Sequence, residues 1–186
     1  MERMTEPRVG LRALGAAAFF VVAPGGVVGL APYLISGWRV EHRLPDLVRL
    51  LGVAVIVAGV LSVLESFARF VVRGHGTPAP VAPPKQLVVS GQYSHVRNPM
   101  YVALVAIVLG QAAWFGSRAL AAYAAALLLL FHLRVVTYEE PRLTELFGAD
   151  FAAYRRSVPR WIPRLSPWRA SPSKIAQESW DRRTRG

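Results

Sequence analysis

Four long apolar stretches set the frame of this chain, separated by short polar segments. No residue from Ala13 to Trp38 is charged, and a run of that length crosses a hydrocarbon core about 30 Å thick. A second stretch runs from about Leu47 to Val72, a third from Pro99 to about Phe115 and a fourth from about Arg118 to Val136. The pattern predicts an all-α membrane protein with about four transmembrane helices, over residues 13–36, 47–72, 99–115 and 118–136, in one domain of 186 residues. Pro24-Gly25-Gly26 should loosen the first helix, and neighbouring helices would then have to satisfy the freed backbone groups. Only Gly116 and Ser117 separate the third and fourth, so these two form an antiparallel hairpin.

The polar segments differ from one another. Gly74 to Pro84 is a proline-rich connector that cannot be helix or central strand. The fourth helix should run on into water with His132, Arg134, Glu139 and Glu140, bend at Pro141 and stop at Gly148. Phe151 to Arg156 reads as a short amphipathic helix on the cytosolic surface, with Arg160-Trp161-Ile162-Pro163-Arg164 seated among lipid headgroups. Residues 166–186 form a polar tail.

Composition sharpens this picture. Hydrophobic residues make up 53 % of the chain, and there is no cysteine, which excludes disulfides, thiolate metal sites and a cysteine nucleophile. The net charge of +11 is carried almost wholly by arginine, with Lys85 and Lys174 as the two lysines. Anionic lipid and topology explain that excess better than nucleic acid does, so no nucleic-acid partner is expected. Eighteen basic residues fall on the side of the termini and the 85–101 loop, against Arg39, Arg43, Arg49 and Arg118 on the other. This asymmetry predicts a multi-pass protein of a bacterial plasma membrane with both termini cytosolic. The first apolar run is too long for a signal-peptide core and is expected to be retained.

Several features are set aside. Gly74-His75-Gly76 lacks the strand and helix of a dinucleotide fingerprint. His42, His75, His95 and His132 show no metal spacing, so no metal is expected. Glu65 and Arg69 stand in the favoured order for a helical ion pair, either at the interface or walling a polar cavity.

The chemistry concentrates in Lys85 to Tyr101, KQLVVSGQYSHVRNPMY. A short extended run, Leu87 to Val89, turns at Ser90-Gly91 and leads through Tyr93, His95 and Arg97 to Asn98-Pro99. Asn98 suits an N-cap and Pro99 the first helical position, so a helix should start here with its free N–H groups open to an anion. The pattern Gly91-x-Tyr93-x-x-x-Arg97-Asn98-Pro99-x-Tyr101 resembles the cofactor signature of the isoprenylcysteine carboxyl methyltransferase and phospholipid methyltransferase family of small integral membrane enzymes. Glu139-Glu140, Leu143, Phe147-Gly148, Tyr154 and Val158-Pro159 resemble that family's C-terminal block. Asn98 stands where the family more often has histidine, and Ala103 where it has glycine.

The resemblance implies S-adenosylmethionine as cofactor and two cofactor-binding blocks, residues 85–101 and 134–163. It implies binding by Lys85, Gln86, Leu87, Val88, Tyr93, Asn98, Pro99, Met100, Tyr101, Glu139 and Glu140, to which the chemistry of a carboxylate adds Arg97. Lys85 to Val88 and Tyr93 would suit adenine, Arg97 and the helix start the carboxylate, and the glutamates the ribose and amino group. Arg134 would orient an anionic part of the acceptor, and Glu139 would take the proton of an amine acceptor. The acceptor would be lipophilic or amphiphilic, reached from the bilayer. Read without the resemblance, Arg97 can also be a topological anchor, Tyr93 and Tyr101 interfacial aromatics, and Glu139-Glu140 a solvated helix face. An NADPH-dependent membrane sterol-type reductase and a non-catalytic four-helix subunit are the alternatives. The former carries a glycine–glutamate pair after its tyrosine, where this chain has Val102-Ala103.

Overall fold

The computed structural model describes residues 22–73 and 87–169. The N-terminal arm, the start of the first apolar stretch, the proline-rich connector with Lys85 and Gln86, the side chain of Arg69, and the tail from Ala170 lie outside the described residues. Among those described, every regular element is helical. The helices are α1 (Val22–Ser36), α2 (Asp46–Arg73), α3 (Pro99–Phe115), α4 (Arg118–Arg134) and α5 (Glu140–Ser157). Two helical segments, Asp46–Ser66 and Arg118–Ser157, are long and apolar enough to cross a membrane, while α1 and α3 are shorter apolar helices. The Leu87–Val89 run pairs with no strand.

The chain divides into two compact units, residues 1–86 with 100–130, and residues 87–99 with 131–186. In the first, α3 buries most of its circumference through Ala103, Leu104, Val105, Ile107, Val108 and Ala112, as a helix apolar all round must. Glycine lets α2 approach it closely. A methyl group on Gly52 would stand 2.8 Å from the carbonyl oxygen of Gly110, and one on Gly59 would run into Ile107. Small residues at a helix crossing bring backbones together where apolar side chains gain little from leaving lipid. The outward faces of α2 and α4 expose Leu50, Leu51, Leu61, Leu64, Leu129 and Leu130.

α1 is indeed loosened after Pro24-Gly25-Gly26: Gly26–Leu30 forms a π-helical turn. Pro32 explains why help from other helices is needed. Its missing N–H would have served the carbonyl of Val28 in α-geometry or that of Val27 in π-geometry. Gln111 Nε2 donates to the Val28 carbonyl at 2.7 Å and the Tyr123 hydroxyl to the Val27 carbonyl at 3.1 Å. Whichever carbonyl the missing N–H would have served, a donor from α3 or α4 meets it.

The α3–α4 hairpin closes on Gly116, which has a positive φ of 63°. The Ser117 N–H bonds back to the Ala112 carbonyl at 3.0 Å, the longer bond of a Schellman ending. The backbone of His42 packs so tightly against Gly116 that no side chain fits there.

Candidate functional site

The second unit gathers most of the residues the sequence singled out. Its loop enters as Leu87–Val89, tightens into a 3₁₀ turn over Gly91–Ser94 and reaches α3 through Arg97-Asn98-Pro99. Gly91, at φ 63°, opens that turn. A small apolar core of Phe151, Tyr154 and Val158 packs against Leu87, Val89, Leu143, Phe147 and Trp168, and so anchors the start of the loop. The Tyr154 hydroxyl donates to the carbonyl of Tyr93 at 2.6 Å, and burial pushes its pKa up, so it stays a donor. Val88 is half-buried.

Backbone bonds then stitch this loop to the segment after α5. Arg97 N–H donates to the Pro159 carbonyl at 2.9 Å, Arg164 N–H to that of His95 at 3.0 Å, and Trp168 N–H to that of Ser94 at 2.9 Å. His95 Nδ1 lies 2.8 Å from the Arg164 carbonyl. The Asn98 amide donates to the Arg160 carbonyl at 3.2 Å. That side chain therefore ties down the neighbouring segment, a task the capping role expected from sequence does not include.

At the centre is Glu140. Its Oε1 accepts from Arg97 Nη1 at 2.8 Å and from Arg160 Nε at 2.7 Å, while its Oε2 accepts from Arg160 Nη2 at 3.0 Å. The side chains of Glu140 and Arg97 are 9 % and 11 % exposed. Burial alone would raise the Glu140 pKa; the Arg160 hydrogen bonds and the charges of Arg97 and Arg160 more than reverse this, holding the carboxyl below its ordinary value. Burial lowers the Arg97 pKa, but a guanidinium starts so high that it stays charged. The Glu140 hydrogen bond raises that of Arg160. One carboxylate between two guanidiniums leaves a net positive charge, and Arg97 Nε is buried with no hydrogen-bond partner.

Glu139 has different company. Arg134 Nε donates to its Oε1 at 3.0 Å, and the Arg134 guanidinium lies 5.6 Å from the Tyr138 ring. This pair is five residues apart, which α-geometry would set on opposite sides. The π-turn Val135–Glu139 between α4 and α5 closes i to i+5 and brings both onto one side. Gly148 breaks the helical φ/ψ within α5 and turns the chain into the Phe151–Ser157 segment.

Of the residues singled out from sequence, Leu87, Val88, Tyr93, Arg97, Asn98, Pro99, Arg134, Glu139 and Glu140 thus share one unit. Met100 and Tyr101 follow in the first turn of α3 and belong to the other unit. Arg160 is the member that sequence reasoning missed; it was placed among lipid headgroups. Its signal was an arginine directly after Pro159, facing a glutamate doublet that is one carboxylate richer than Arg134 needs. Trp161 likewise turns inward, donating from Nε1 to His132 Nδ1 at 3.2 Å.

The sequence profile of the phospholipid methyltransferase family matches residues 47–150, more than half of the chain. This chain belongs to the phospholipid methyltransferase family. Over 83 residues it is 39 % identical to the cobalt-zinc-cadmium resistance protein CzcN of Cupriavidus metallidurans, covering 45 % of this chain and 38 % of that one. It is 34 % identical over 79 residues to the protein-S-isoprenylcysteine O-methyltransferase of Schizosaccharomyces pombe, 42 % of this chain and 34 % of that enzyme. The nickel-cobalt-cadmium resistance protein NccN of Alcaligenes xylosoxydans is 35 % identical over 85 residues, 46 % of this chain and 39 % of its own length. The matches thus span well under half the length of these relatives. No solved structure matches the chain significantly.

Proposed function

We propose that this chain is an integral membrane methyltransferase that uses S-adenosylmethionine to methylate a lipophilic or amphiphilic acceptor. The observation that carries the reading is the junction at Glu140. It joins Arg97 of the first family-like block to Glu140 and Arg160 of the second and leaves that cluster positively charged. The buried, unpartnered Nε–H of Arg97 is the kind of donor a carboxylate satisfies, and the residues present in that respect fit the cofactor.

S-adenosylmethionine supplies a methyl group on a sulfonium, so the protein need only bind, align and exclude water. Arg97 holds the methionine carboxylate, with the free backbone N–H groups of Met100 and Tyr101 in the first turn of α3 as further donors; Pro99, which has no N–H, sets the start of that turn. Glu140 is committed to two guanidiniums and holds Arg97 in place. Asn98 fixes the helix start by tying it to the Arg160 carbonyl. Leu87, Val88 and Tyr93, with Lys85 and Gln86 before them, form the adenine side. Glu139 faces the cofactor's amino and hydroxyl groups or takes a proton from an amine acceptor, while Arg134 orients an anionic one. A carboxylate acceptor would need no base.

In this reading all four apolar helices cross the membrane. Both termini and the 85–101 loop face the cytosol, where the cofactor is made and held. The test is to supply purified protein in detergent with methyl-labelled S-adenosylmethionine and fractionated lipid extract, then identify the labelled product by mass spectrometry. Enzyme-dependent label in a lipid-soluble product is expected. Label in no fraction would overturn the acceptor class.

A further inference from the structure

Ser66 is fully buried in α2, and its hydroxyl has no hydrogen-bond partner. A helical serine or threonine ordinarily donates to the carbonyl four residues back. Ser36, Thr137 and Thr144 all do so, at 2.9, 2.7 and 2.7 Å. Ser66 does not, so a buried hydroxyl is left unused in a segment where unmet polar groups are costly.

Its place on the helix says what it is for. Gly52, Gly59 and Ser66 recur every seven residues and therefore share one face of α2. Gly52 meets Gly110 of α3, and Gly59 meets Ala103 and Ile107. The two helices run antiparallel, so a step of seven from Gly59 to Ser66 is matched by the step back from Ile107 to Met100. Ser66 thus stands level with the first turn of α3, where the backbone N–H groups have no intrahelical acceptor. Its complete burial means that the face is still covered at that level.

We infer that Ser66 is a further ligand-binding residue: its hydroxyl donates, alongside the α3 N-terminus, to the carboxylate of the methionine moiety of the cofactor. The assignment rests on the proposed use of S-adenosylmethionine. A serine is suited to the position because its small side chain preserves the close α2–α3 approach that Gly52 and Gly59 permit. Its hydroxyl supplies a neutral donor within an apolar helix.

The experiment compares Ser66→Ala with the parent, as purified protein in detergent, by thermal unfolding without ligand and by equilibrium binding. Two ligands are titrated, S-adenosylmethionine and its decarboxylated analogue. Removing an unused buried hydroxyl should leave the ligand-free midpoint unchanged or raise it, whereas removing a structural hydrogen bond would lower it. Affinity for S-adenosylmethionine should fall roughly ten- to a hundred-fold, as for a lost hydrogen bond to a charged group. The parent should bind the analogue more weakly, and the substitution should cost the analogue nothing further. Equal loss for both ligands, unchanged affinity for S-adenosylmethionine, or a lowered ligand-free midpoint would each overturn the assignment while sparing the broader one. A parent that binds neither ligand would remove the cofactor reading and this inference with it.

Discussion

Glu139 and Glu140 are neighbours in sequence, yet the structure predicts very different consequences for the same substitution. Glu140 is the one carboxylate shared by Arg97 and Arg160, in a cluster whose carboxylate is 9 % exposed. In Glu140→Gln the amide keeps one oxygen acceptor but turns an NH₂ group toward a guanidinium donor, leaving two positive charges uncompensated. Removing one partner of a buried ion pair costs about 3–5 kcal/mol. Arg160 is 28 % exposed and water screens part of the loss, so about 3 kcal/mol is the figure to expect. At about 2–4 °C per kcal/mol for a chain of this size, the ligand-free unfolding midpoint should drop by about 6–12 °C. In the Glu139–Arg134 pair the arginine is 47 % exposed, so Glu139→Gln should cost about 0–1 kcal/mol. Both variants are read by thermal scanning in one detergent at neutral pH. Equal shifts for the two would refute the view that Glu140 holds the loop and the C-terminal segment together.

The Glu140 carboxyl sits below its ordinary 4.5, so its contribution is complete above that pH and disappears as pH falls through the lower folded value. An acid titration of the unfolding midpoint should therefore show a limb that Glu140→Gln lacks; parallel limbs would contradict this. Tyr154→Phe strips the Tyr93 carbonyl of its 2.6 Å donor and should destabilise by about 1–2 kcal/mol, measured by denaturant or thermal unfolding, with no change expected in helix content by circular dichroism. Gln111→Leu leaves the Val28 carbonyl without a donor inside an apolar bundle, for a loss of about 0.6–2 kcal/mol, and a stability equal to the parent's would discount the Pro32 argument. For topology, cysteine introduced at the exposed Val40, in the loop opposite the 85–101 segment, should react with an impermeant reagent outside intact cells and cysteine at Ser171 should not; the reverse would move the 85–101 loop out of the cytosol.

Local rules made much of this fold legible. Pro99 and Gly116 bracket α3 where a helix-opening proline and a left-handed glycine should, and Gly148 interrupts the last helix as a glycine stop signal would. Pro24-Gly25-Gly26 announced a weak first helix, and the rule that buried carbonyls need partners anticipated donors from neighbours. Periodicity could not say which donors, because Gln111 and Val28 are 83 residues apart. For the candidate site, sequence order foretold that most of the singled-out residues lie in one unit, but not how they are wired. Sequence assigned both Glu139 and Glu140 to the cofactor and a base role to Glu139, and nothing local reveals that a π-turn rotates Glu139 toward Arg134 while Glu140 meets Arg97 and Arg160. Arg160-Trp161 looked like a headgroup anchor because basic and aromatic residues beside a membrane usually are. Their inward turn depends on backbone bonds to His95 and Arg97, which no motif encodes.

The central claim, that the chain uses S-adenosylmethionine, is tested most directly by equilibrium binding to the purified protein in detergent. Radiolabelled S-adenosylmethionine should bind saturably, be displaced by S-adenosylhomocysteine and be indifferent to NADPH, and Arg97→Ala should abolish the signal. Saturable NADPH binding with none for S-adenosylmethionine would point to reductase chemistry on this scaffold, and binding of neither would contradict an enzymatic role for the Arg97–Glu140–Arg160 cluster.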